Sequence, residues 1–463
     1  MIYALQSRWK AERGCLKYYG LRARPHTFEN EIRITRAERS IIDRLPCALT
    51  DAQMRTVKRL IGVQIVPEAQ KRAVPQSFAE ARFCRGCVAN DFMIPGMEFD
   101  AEGFCPMCQT KSETVGLRSL VPVMNTFPRA QKSRFDVAVF YTGGKDSTYL
   151  LYELAKKQGL RVLALTWEIP FMSESAKQSI EGAKRSLPSV EFVTRKVSDA
   201  DLRTVYRELY ARNGNVCACP SLAYVLFYPE LVANRVPYFV VGNEPAQILG
   251  LYYNHMAPRM AYSFAGNVLL NGLINAGRLL TLHPPLKKGQ FHTLSTMRQL
   301  AHGTNPVVKL SVYRNMLVEN VVAAIHKVPA LVKPLKKALR ESSWSGNIPA
   351  FVQVDLDEIC GGRYDWRNIV GVIERECGWV APQSTQKGLH TSCRIERCKE
   401  HTQFLRFYNM QSDMIPFSAL EIALASRDGN VSREAALDEL AHESGFSLCE
   451  ISDCAIMKEY LGL

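Results

Sequence analysis

The sequence has no apolar run long enough to cross a bilayer. Among its 463 residues we find no stretch of about 18 predominantly apolar residues, which is near the minimum for a transmembrane helix. The opening segment, MIYALQSRWKAERGC, contains no continuous apolar core of the kind that a secretory signal needs. Internal repeats and low-complexity tracts are also missing from the sequence. We therefore expect a globular cytoplasmic protein without a membrane span.

The net charge of +13 is unevenly distributed along the chain, and acidic residues are scarce in one part of it. Residues 251–350 contain 12 Lys and Arg but only Glu319 and Glu341 as acids, and residues 1–80 contain 15 Lys and Arg against 8 acids. The balance reverses in residues 351–463, with 11 Lys and Arg against 18 acids. A basic stretch favours an anionic substrate, a nucleic acid or a membrane surface as partner. The alternative is a solvated helical face.

Cysteine is not scarce, because the chain has 14. A disulfide-stapled fold is nevertheless unexpected, since such folds belong to short secreted chains. Four cysteines form two Cys-x-x-Cys pairs, and Cys217 and Cys219 form a Cys-x-Cys pair. This spacing points to metal or redox chemistry in a reducing compartment.

The central part of the chain alternates between apolar strands and helices. We predict strands at 135–141, 160–168, 190–197 and 236–242, with helices at 147–159 and near 174–186. Strands and helices of this length predict an α/β fold with a doubly wound parallel sheet and right-handed crossovers.

The segments around this sheet have different compositions. Residues 34–45 and 51–62 have helical apolar spacing, and Thr50 or Asp51 is suited to cap the second helix. We expect five segments: a basic, partly helical leader (1–80), a Cys-rich segment (81–112), the α/β domain (130–250), a basic helical insertion (251–350) and a helical substrate or partner region (351–463).

The loop after the first predicted strand has the composition of a phosphate site. Its sequence is Thr142-Gly-Gly-Lys-Asp-Ser147-Thr148. Gly143 and Gly144 allow backbone N–H groups to approach phosphate oxygens at a helix N-terminus. The hydroxyls of Thr142, Ser147 and Thr148 can donate hydrogen bonds, and Lys145 adds positive charge. It is not a Walker A loop, which has four residues between its first Gly and its Gly-Lys. A tight strand–helix turn with incidental polar residues is the alternative.

The two Cys-x-x-Cys pairs are separated by 17 residues. Four thiolates at such spacing suit a closed tetrahedral zinc site with an architectural role. A redox or iron–sulfur site and unliganded structural cysteines are the alternatives. The predicted ligands are Cys84, Cys87, Cys105 and Cys108.

Together, the ribbon CRGCVANDFMIPGMEFDAEGFCPMC and the following FDVAVFYTGGKDSTYLLYELAKKQGLRVLALTW resemble the N-acetyl sugar amidotransferases of the PP-loop ATP pyrophosphatase superfamily. The resemblance extends more weakly to 217–247, 364–379, 389–396 and 415–437. It implies an adenine-nucleotide α-hydrolase-like sheet behind an N-terminal zinc ribbon. It further implies that ATP, with Mg²⁺, is cleaved to AMP and pyrophosphate while an acetamido group on an activated sugar becomes an acetamidino group. Thr142 replaces the family's usual Ser and keeps the hydroxyl.

Under this resemblance Ser147 and the two glycines hold the pyrophosphate. Lys145 and Asp146 are the predicted catalytic residues of the loop. Further candidate ATP-binding residues are Thr166 and Glu244, which lie at the ends of two predicted strands. A helix-capping carboxylate is the alternative for Glu244. None of His255, His283 and His390 is spaced from another residue in a pattern that indicates a metal or catalytic site.

Cys217 and Cys219 are candidate catalytic thiols of the kind used by sulfur-inserting PP-loop enzymes. They could instead join Cys393 and Cys398 around a second metal, or simply begin a packed helix.

The predicted reaction is amide adenylation followed by displacement with ammonia. The chain has no recognisable glutaminase, so the resemblance implies a glutaminase and ammonia-channel partner. The expected acceptor is an anionic small molecule, in particular a nucleotide sugar. The alternatives are a sulfurtransferase acting on tRNA or another RNA, a ligase acting on another carboxylate or amide, and a non-catalytic nucleotide-binding module.

Overall fold

Five parallel strands organise the part of the protein that carries the Gly-Gly loop. The computed structural model describes residues 1–22, 30–109, 122–243, 246–247, 254, 264–303, 316–362, 364–382, 393–442 and 445–463. The chain divides into two units. The first comprises Met1–Thr114, Gln403–Asp428 and Phe446–Cys449, and the second comprises Val115–Thr402, Gly429–Gly445 and Glu450–Leu463.

The sheet of the second unit confirms the predicted α/β pattern. Its strands are β7 (Val137–Phe140), β8 (Val162–Trp167), β9 (Glu191–Arg195), β10 (Tyr238–Asn243) and β11 (Ala350–Asp355). All six residues of β8 are buried, as expected for a central strand of a parallel sheet that is covered on both faces. The first four strands coincide with the predicted ones.

The fifth strand differs from the sequence-based expectation. We predicted a helical region over 351–463, but β11 pairs in parallel with β10 along its whole length, from Tyr238–Ala350 to Asn243–Asp355. The sheet therefore extends beyond the predicted domain 130–250. Its last strand, β11, follows the basic segment 251–350 in the chain.

The strand order is β9-β8-β7-β10-β11, with parallel pairing throughout. The chain moves from β7 to β8 to β9 in one direction and then returns to the opposite side of β7. Because parallel crossovers are right-handed, the helices of these two directions cover opposite faces of the sheet. A crevice forms at the carboxyl end of the strands where the direction reverses, beside β7 and β10.

Helices surround this sheet and make up most of the second unit. The predicted helix at 147–159 is an α-helix followed by a π-helical turn, Glu153–Lys157. None of the described helices is both long and apolar enough to cross a membrane. The helices of this unit are α4 (Lys145–Tyr152), α5 (Glu174–Ser186), α6 (Asp199–Asn213), α7 (Ser221–Ala233), α8 (Phe264–Leu280), α9 (Gln290–His302), α10 (Met316–Ile325), α11 (Pro329–Ser345), α12 (Leu356–Ile359), α13 (Trp366–Cys377), α16 (Arg433–His442) and α17 (Ser452–Leu461).

The first unit contains short strands that the sequence pattern did not predict. Two three-stranded sheets form from β1 (Ile2–Leu5), β2 (Trp9–Glu12), β3 (Cys15–Tyr18), β4 (Glu31–Arg33), β5 (Cys47–Ala48) and β6 (Ile65–Pro67), in the orders β5-β1-β6 and β2-β3-β4. The helices of this unit are α1 (Arg36–Ile42), α2 (Asp51–Thr56), α3 (Pro106–Gln109) and α15 (Phe417–Asp428). Helix α14 (Arg394–Tyr408) begins in the second unit and ends in the first.

Both predicted helices of the leader are present in the first unit. Thr50, one of the two predicted caps, accepts a hydrogen bond from the backbone N–H of Gln53 and forms a capping box. The apolar residues of this region pack into one core, made by Trp9, Leu16, Tyr18, Ile41, Ile42, Val57, Leu60 and Ile65.

Asp136 fixes the entry of the central strand β7. Its fully buried carboxylate accepts hydrogen bonds from the side chains of Arg129 and Arg161 and from the Ala130 N–H. Burial alone would raise the pKa of Asp136, but the hydrogen bonds from Arg161 and its neighbours hold it well below its usual value. The amino end of β7 is therefore anchored by a paired buried charge.

Two glycines allow α5 and α13 to approach each other closely. A Cβ atom on Gly182 of α5 would collide with the backbone oxygen of Gly378, which ends α13 in a left-handed conformation at φ +64°. Helix α13 also packs on α4. This contact therefore fixes the position of α13, and of the residues just before and after it, relative to the Gly-Gly loop.

We expect Gly182→Ala to destabilise the protein by about 1–3 kcal/mol, because the added methyl group overpacks a backbone contact. The matched control is Gly371→Ala in α13, where a Cβ atom would meet nothing within 4 Å. That control should be neutral or stabilising by about 0.5–1 kcal/mol, since alanine is the better helix former. Urea unfolding of both variants measures the difference, and equal stabilities would contradict the close-packing argument.

Candidate functional site

The Gly-Gly loop connects the carboxyl end of β7 to the first turn of α4. Gly143 has φ +74°, and a Cβ atom there would lie 2.5 Å from the backbone oxygen of Ala176. Trp379 Nε1 donates a hydrogen bond of 3.0 Å to the Gly143 carbonyl. Gly144 is the N-cap residue of α4, and no side chain of the described residues caps this helix. The loop thus leaves the N-terminus of α4 facing the crevice at the carboxyl edge of the sheet.

The three hydroxyl side chains that the sequence offered for phosphate binding differ in their positions. Thr142 Oγ1 and Ser147 Oγ lie 3.2 Å apart, and Ser147 Oγ donates to the Gly144 carbonyl at 3.1 Å. Thr148 is fully buried, and its Oγ1 donates to the same carbonyl at 2.8 Å. The hydroxyls of Thr142 and Ser147 are therefore the two that remain close to the open part of the loop.

Lys145 and Asp146 form an ion pair under two aromatic rings. The Lys145 ammonium lies 2.6 Å from Asp146 Oδ1 and donates to Tyr364 Oη at 2.8 Å. Tyr364 Oη in turn donates a short hydrogen bond to Asp146 Oδ1. The ammonium lies 4.9 Å and 5.0 Å from the ring centroids of Tyr364 and Trp366. Lys145 is only 9% exposed, so its charge is stabilised by a carboxylate, a hydroxyl and two π faces.

Four residues that contact the loop were not among the predicted site residues. Tyr364, Trp366 and Trp379 surround it, and Gln247 Nε2 donates to Asp146 Oδ2 at 3.3 Å. The three aromatic residues belong to the stretch YDWRNIVGVIERECGW, which carried part of the family resemblance. The aromatic residues in that stretch were the feature of the sequence from which contacts with the loop could have been predicted.

Thr166 and Glu244 are the two further residues predicted to bind ATP. Thr166 is 4% exposed, and its hydroxyl donates to the Tyr141 carbonyl at 2.9 Å. Its side chain therefore joins the ends of β7 and β8. Glu244 lies outside the described residues.

The Cys-x-Cys pair lies immediately before α7, which leads into β10. Since helices of a doubly wound sheet run antiparallel to the strands that follow them, the beginning of α7 lies at the carboxyl edge of the sheet. Cys219 is exposed and Cys217 is half-buried. Cys393 is close enough to interact electrostatically with both, and it is joined to Met172, after β8, by an antiparallel bridge.

These three thiols lie close to a lysine. Burial raises the pKa of Cys217, Cys219 and Cys393, because the surrounding protein disfavours a thiolate. The Lys399 ammonium opposes this effect on all three, and it also lies 3.2 Å from Glu396 Oε1.

Polar groups near these thiols lack hydrogen-bond partners within the described part of the chain. They are the hydroxyls of Tyr206 and Ser221. Tyr206 is fully buried, and its phenol interacts electrostatically with all three thiols. Ser221 follows Cys219 by two positions. Buried polar groups are nearly always hydrogen-bonded, so these groups are suited to meet water or a bound molecule.

The alternative of a second metal held with Cys398 is not supported among the described residues. Cys398 lies 2.8 Å from Cys454, Sγ to Sγ, in a separate buried pair. The one set of metal-ligating side chains found in the described ranges is the Cys-x-x-Cys quartet. His283, for its part, stacks on Trp344, whereas His255 and His390 lie outside the described residues.

The four predicted zinc ligands converge in the first unit. The Sγ atoms of Cys84, Cys87, Cys105 and Cys108 all lie within 4.8 Å of one another. The Cys84–Cys108 and Cys87–Cys105 sulfurs are each 3.7 Å apart. A tetrahedral zinc ion with Zn–S distances of about 2.3 Å has neighbouring sulfurs about 3.8 Å apart. The quartet therefore has the size of a closed tetrahedral zinc site.

Backbone groups around the quartet are arranged to stabilise thiolates. The N–H groups of Gly86 and Cys105 donate to Cys84 Sγ at 3.3 Å and 3.2 Å, and the Ala89 N–H donates to Cys87 Sγ at 3.4 Å. A Cβ atom on Gly86 would lie 3.1 Å from Cys108 Sγ, so the tight turn favours glycine. These features fit an ion with a preference for thiolate ligands.

No protein-family model matches the chain, and no curated protein matches it.

We expect Cys105→Ser to remove the metal from the first unit and to destabilise it by at least about 3 kcal/mol, because metal binding is coupled to folding. The control is Cys449→Ser, an exposed cysteine of the same unit. Elemental analysis should find about one zinc per chain in the wild type and in the control, and little in Cys105→Ser. Iron in place of zinc, or unchanged zinc in Cys105→Ser, would contradict the zinc assignment.

Proposed function

We propose that this chain is an ATP pyrophosphatase of the PP-loop type that activates an amide carbonyl by adenylation. The observation that carries the proposal is the position of the loop Thr142–Ser147. It follows the central strand of a parallel sheet at the point where the strand order reverses, which is where open α/β sheets bind nucleotides. It also precedes the N-terminus of α4, where backbone N–H groups attract phosphate oxygens.

The loop residues suit a pyrophosphate group. Gly143 and Gly144 keep side chains away from the backbone N–H groups, and the Thr142 and Ser147 hydroxyls add donors. Asp146 is the carboxylate of the loop that could hold Mg²⁺, which would share the charge of the phosphates. ATP would thus be bound through its β- and γ-phosphates, leaving the α-phosphorus open to attack.

Lys145 is suited to stabilise negative charge that develops on the phosphates. An ammonium group has three N–H donors, and two of them bond to Asp146 and Tyr364 among the described residues. The third is available for a phosphate oxygen. Asp146 and Tyr364 would then hold the ammonium in place, so that it need not reorganise when the leaving group departs.

The proposed reaction has two steps. The amide oxygen of the acceptor attacks the α-phosphorus of ATP, the bond to the β-phosphate oxygen breaks, and pyrophosphate leaves. Ammonia then attacks the activated carbon, loses protons, and expels AMP with the former amide oxygen. The product is an amidine. The acceptor that we propose is the N-acetyl group of an activated sugar, with ammonia supplied by a glutaminase partner.

The polar groups near the three thiols are suited to bind the acceptor. Tyr206 and Ser221 offer hydroxyls, and Lys399 offers positive charge to an anionic substrate. Because α7 begins at the same sheet edge as α4, such an acceptor would approach the loop from the other face of the sheet.

A second candidate is sulfur transfer to RNA. It is favoured by the convergence of Cys217, Cys219 and Cys393 beside Lys399. In that reaction a cysteine persulfide, formed by an external sulfur donor, would attack the adenylated carbon. A ligase on another carboxylate or amide shares the adenylation step, whereas a non-catalytic binding module would not cleave ATP.

We expect Gly143→Val and Lys145→Ala to abolish the formation of AMP and pyrophosphate. The first variant places a side chain against the Ala176 carbonyl at a strained φ, and the second removes the ammonium. Tyr364→Phe should lower kcat by about tenfold, roughly 1.4 kcal/mol, since it removes the hydroxyl that accepts a hydrogen bond from Lys145 and donates one to Asp146. Chromatography of nucleotide products provides the measurement.

The control for these variants is Lys184→Ala on the exposed side of α5, which should cleave ATP at the wild-type rate. ADP and orthophosphate as the products would refute pyrophosphatase chemistry. Full activity of Gly143→Val in a folded protein would refute the assignment of the loop.

The double variant Cys217→Ser/Cys219→Ser separates the two candidate reactions. Ammonia-dependent turnover needs no thiolate and should stay within about tenfold of wild type. A persulfide-carrying enzyme would lose its nucleophile and several orders of magnitude in rate. Mass spectrometry with ammonia or sulfide donors measures product, and circular dichroism checks folding. Cys360→Ser serves as the cysteine control, and a folded double variant that makes AMP but no product would favour sulfur transfer.

A further inference from the structure

Helix α8 (Phe264–Leu280) has its polar and apolar sides reversed relative to a surface helix of a globular protein. The exposed half of the helix carries apolar and small residues, with no polar side chain among the described positions. Val268, Leu269, Leu273, Leu279 and Leu280 are between 56% and 85% exposed. A surface helix normally presents its polar face to water and its apolar face to the core.

The side of α8 that faces the protein is the polar one. Arg278 is 7% exposed, donates to the backbone oxygens of Pro284 and Ser343, and so ties the end of α8 to the end of α11. Asn275 exchanges two hydrogen bonds with the backbone of Leu286. The helix is therefore held by specific polar contacts, and the exposure of its leucines is a consequence of how these contacts orient it.

The apolar surface continues beyond the end of α8. Leu282 is 84% exposed, and Trp344, at the end of α11, is 57% exposed with its ring stacked 4.2 Å from that of His283. We call the exposed residues Val268, Leu269, Leu273, Leu279, Leu280, Leu282 and Trp344 the α8 surface. Contiguous exposed apolar side chains of this kind mark interaction sites.

Positive charge accompanies the α8 surface. No Asp or Glu occurs between residues 245 and 318. Lys287 and Lys288 are exposed a few residues after Leu282. The exposed face of α11 adds four further cations against the single acid Glu341; the cations are Lys333, Lys336, Lys337 and Arg340.

We propose that the α8 surface binds an anionic lipid bilayer, with α8 lying in the plane of the interface. The leucines would enter the boundary between headgroups and acyl chains, while the lysines contact anionic headgroups. Trp344 is suited to the headgroup level, where tryptophan is enriched. At 17 residues α8 is shorter than a bilayer-spanning helix.

The charge pattern favours a bilayer over a second copy of the chain. Two α8 surfaces facing each other would bring like charges together at the rim, because both copies carry the same excess of lysine and arginine. An anionic membrane complements the apolar and the basic parts of the surface at once.

The test is sedimentation of the full chain with vesicles. Wild-type protein should bind vesicles of equal parts phosphatidylcholine and phosphatidylglycerol, and should bind pure phosphatidylcholine at least about tenfold more weakly. Leu269→Gln/Leu273→Gln/Leu280→Gln should weaken binding to the anionic vesicles by at least about tenfold. Lys287→Gln/Lys288→Gln should weaken it less and lower its sensitivity to salt.

The control variant Val63→Gln/Leu448→Gln changes exposed apolar residues elsewhere and should bind like wild type. Circular dichroism and ATP cleavage of the triple variant should match wild type, because none of its sites contacts the loop. Absence of vesicle binding by wild type, or equal binding by the triple variant, would overturn the proposal. A wild type that dimerises in analytical ultracentrifugation without binding vesicles, paired with a monomeric triple variant, would assign the surface to a second copy instead.

Discussion

The pairing of β10 with β7 places the central strand between two crossovers that run in opposite directions. Parallel strands cannot be joined by a short turn, so each crossover contains helices, and their handedness sends the two sets to opposite faces. The strand order therefore reverses at the carboxyl ends of β7 and β10, where open α/β sheets form a crevice. The Gly-Gly loop and the start of α4 face this crevice from one side, and the Cys-x-Cys pair before α7 lies at the same edge. Strand order thus brings together residues that are about 75 positions apart in the chain.

Within this crevice Asp146 partly neutralises Lys145, so the pair determines how much positive charge the loop presents to a bound anion. A lysine that is 9% exposed is tolerated only with compensation, and Asp146, Tyr364 and the ring of Trp366 provide it. The aromatic residues come from the segment flanking α13, whose position depends on the contact of Gly182 with Gly378. The stabilisation of the Lys145 charge therefore depends on the packing of Gly182 against Gly378 at the other end of α13, because that packing positions Tyr364 and Trp366.

The sequence was informative where local pattern and tertiary structure agree. The strand at 137–140, the glycine turn and the helix after it are predictable because apolar runs, φ preferences and capping all act within a dozen residues. The four cysteines that could hold a metal ion were recognisable for the same reason, since two Cys-x-x-Cys pairs fix most of the geometry locally. Strand β11 was missed because its partner precedes it by more than 100 residues, and the strands of the first unit because they span two to four residues. The inward position of Lys145 depends on Tyr364, which no local pattern reveals.

The surroundings of the three thiols bear on which nucleophile the proposed reaction would use. Cys219 is exposed, and Cys217 and Cys393 are half-buried, so a sulfur donor could reach them. Desolvation by the surrounding protein raises the pKa of these thiols, whereas the Lys399 ammonium opposes that effect. Sulfur transfer would need a thiolate and would therefore depend on the charge of Lys399, whereas an ammonia nucleophile needs no thiolate. The charge of Lys399 thus matters differently to the two proposed reactions.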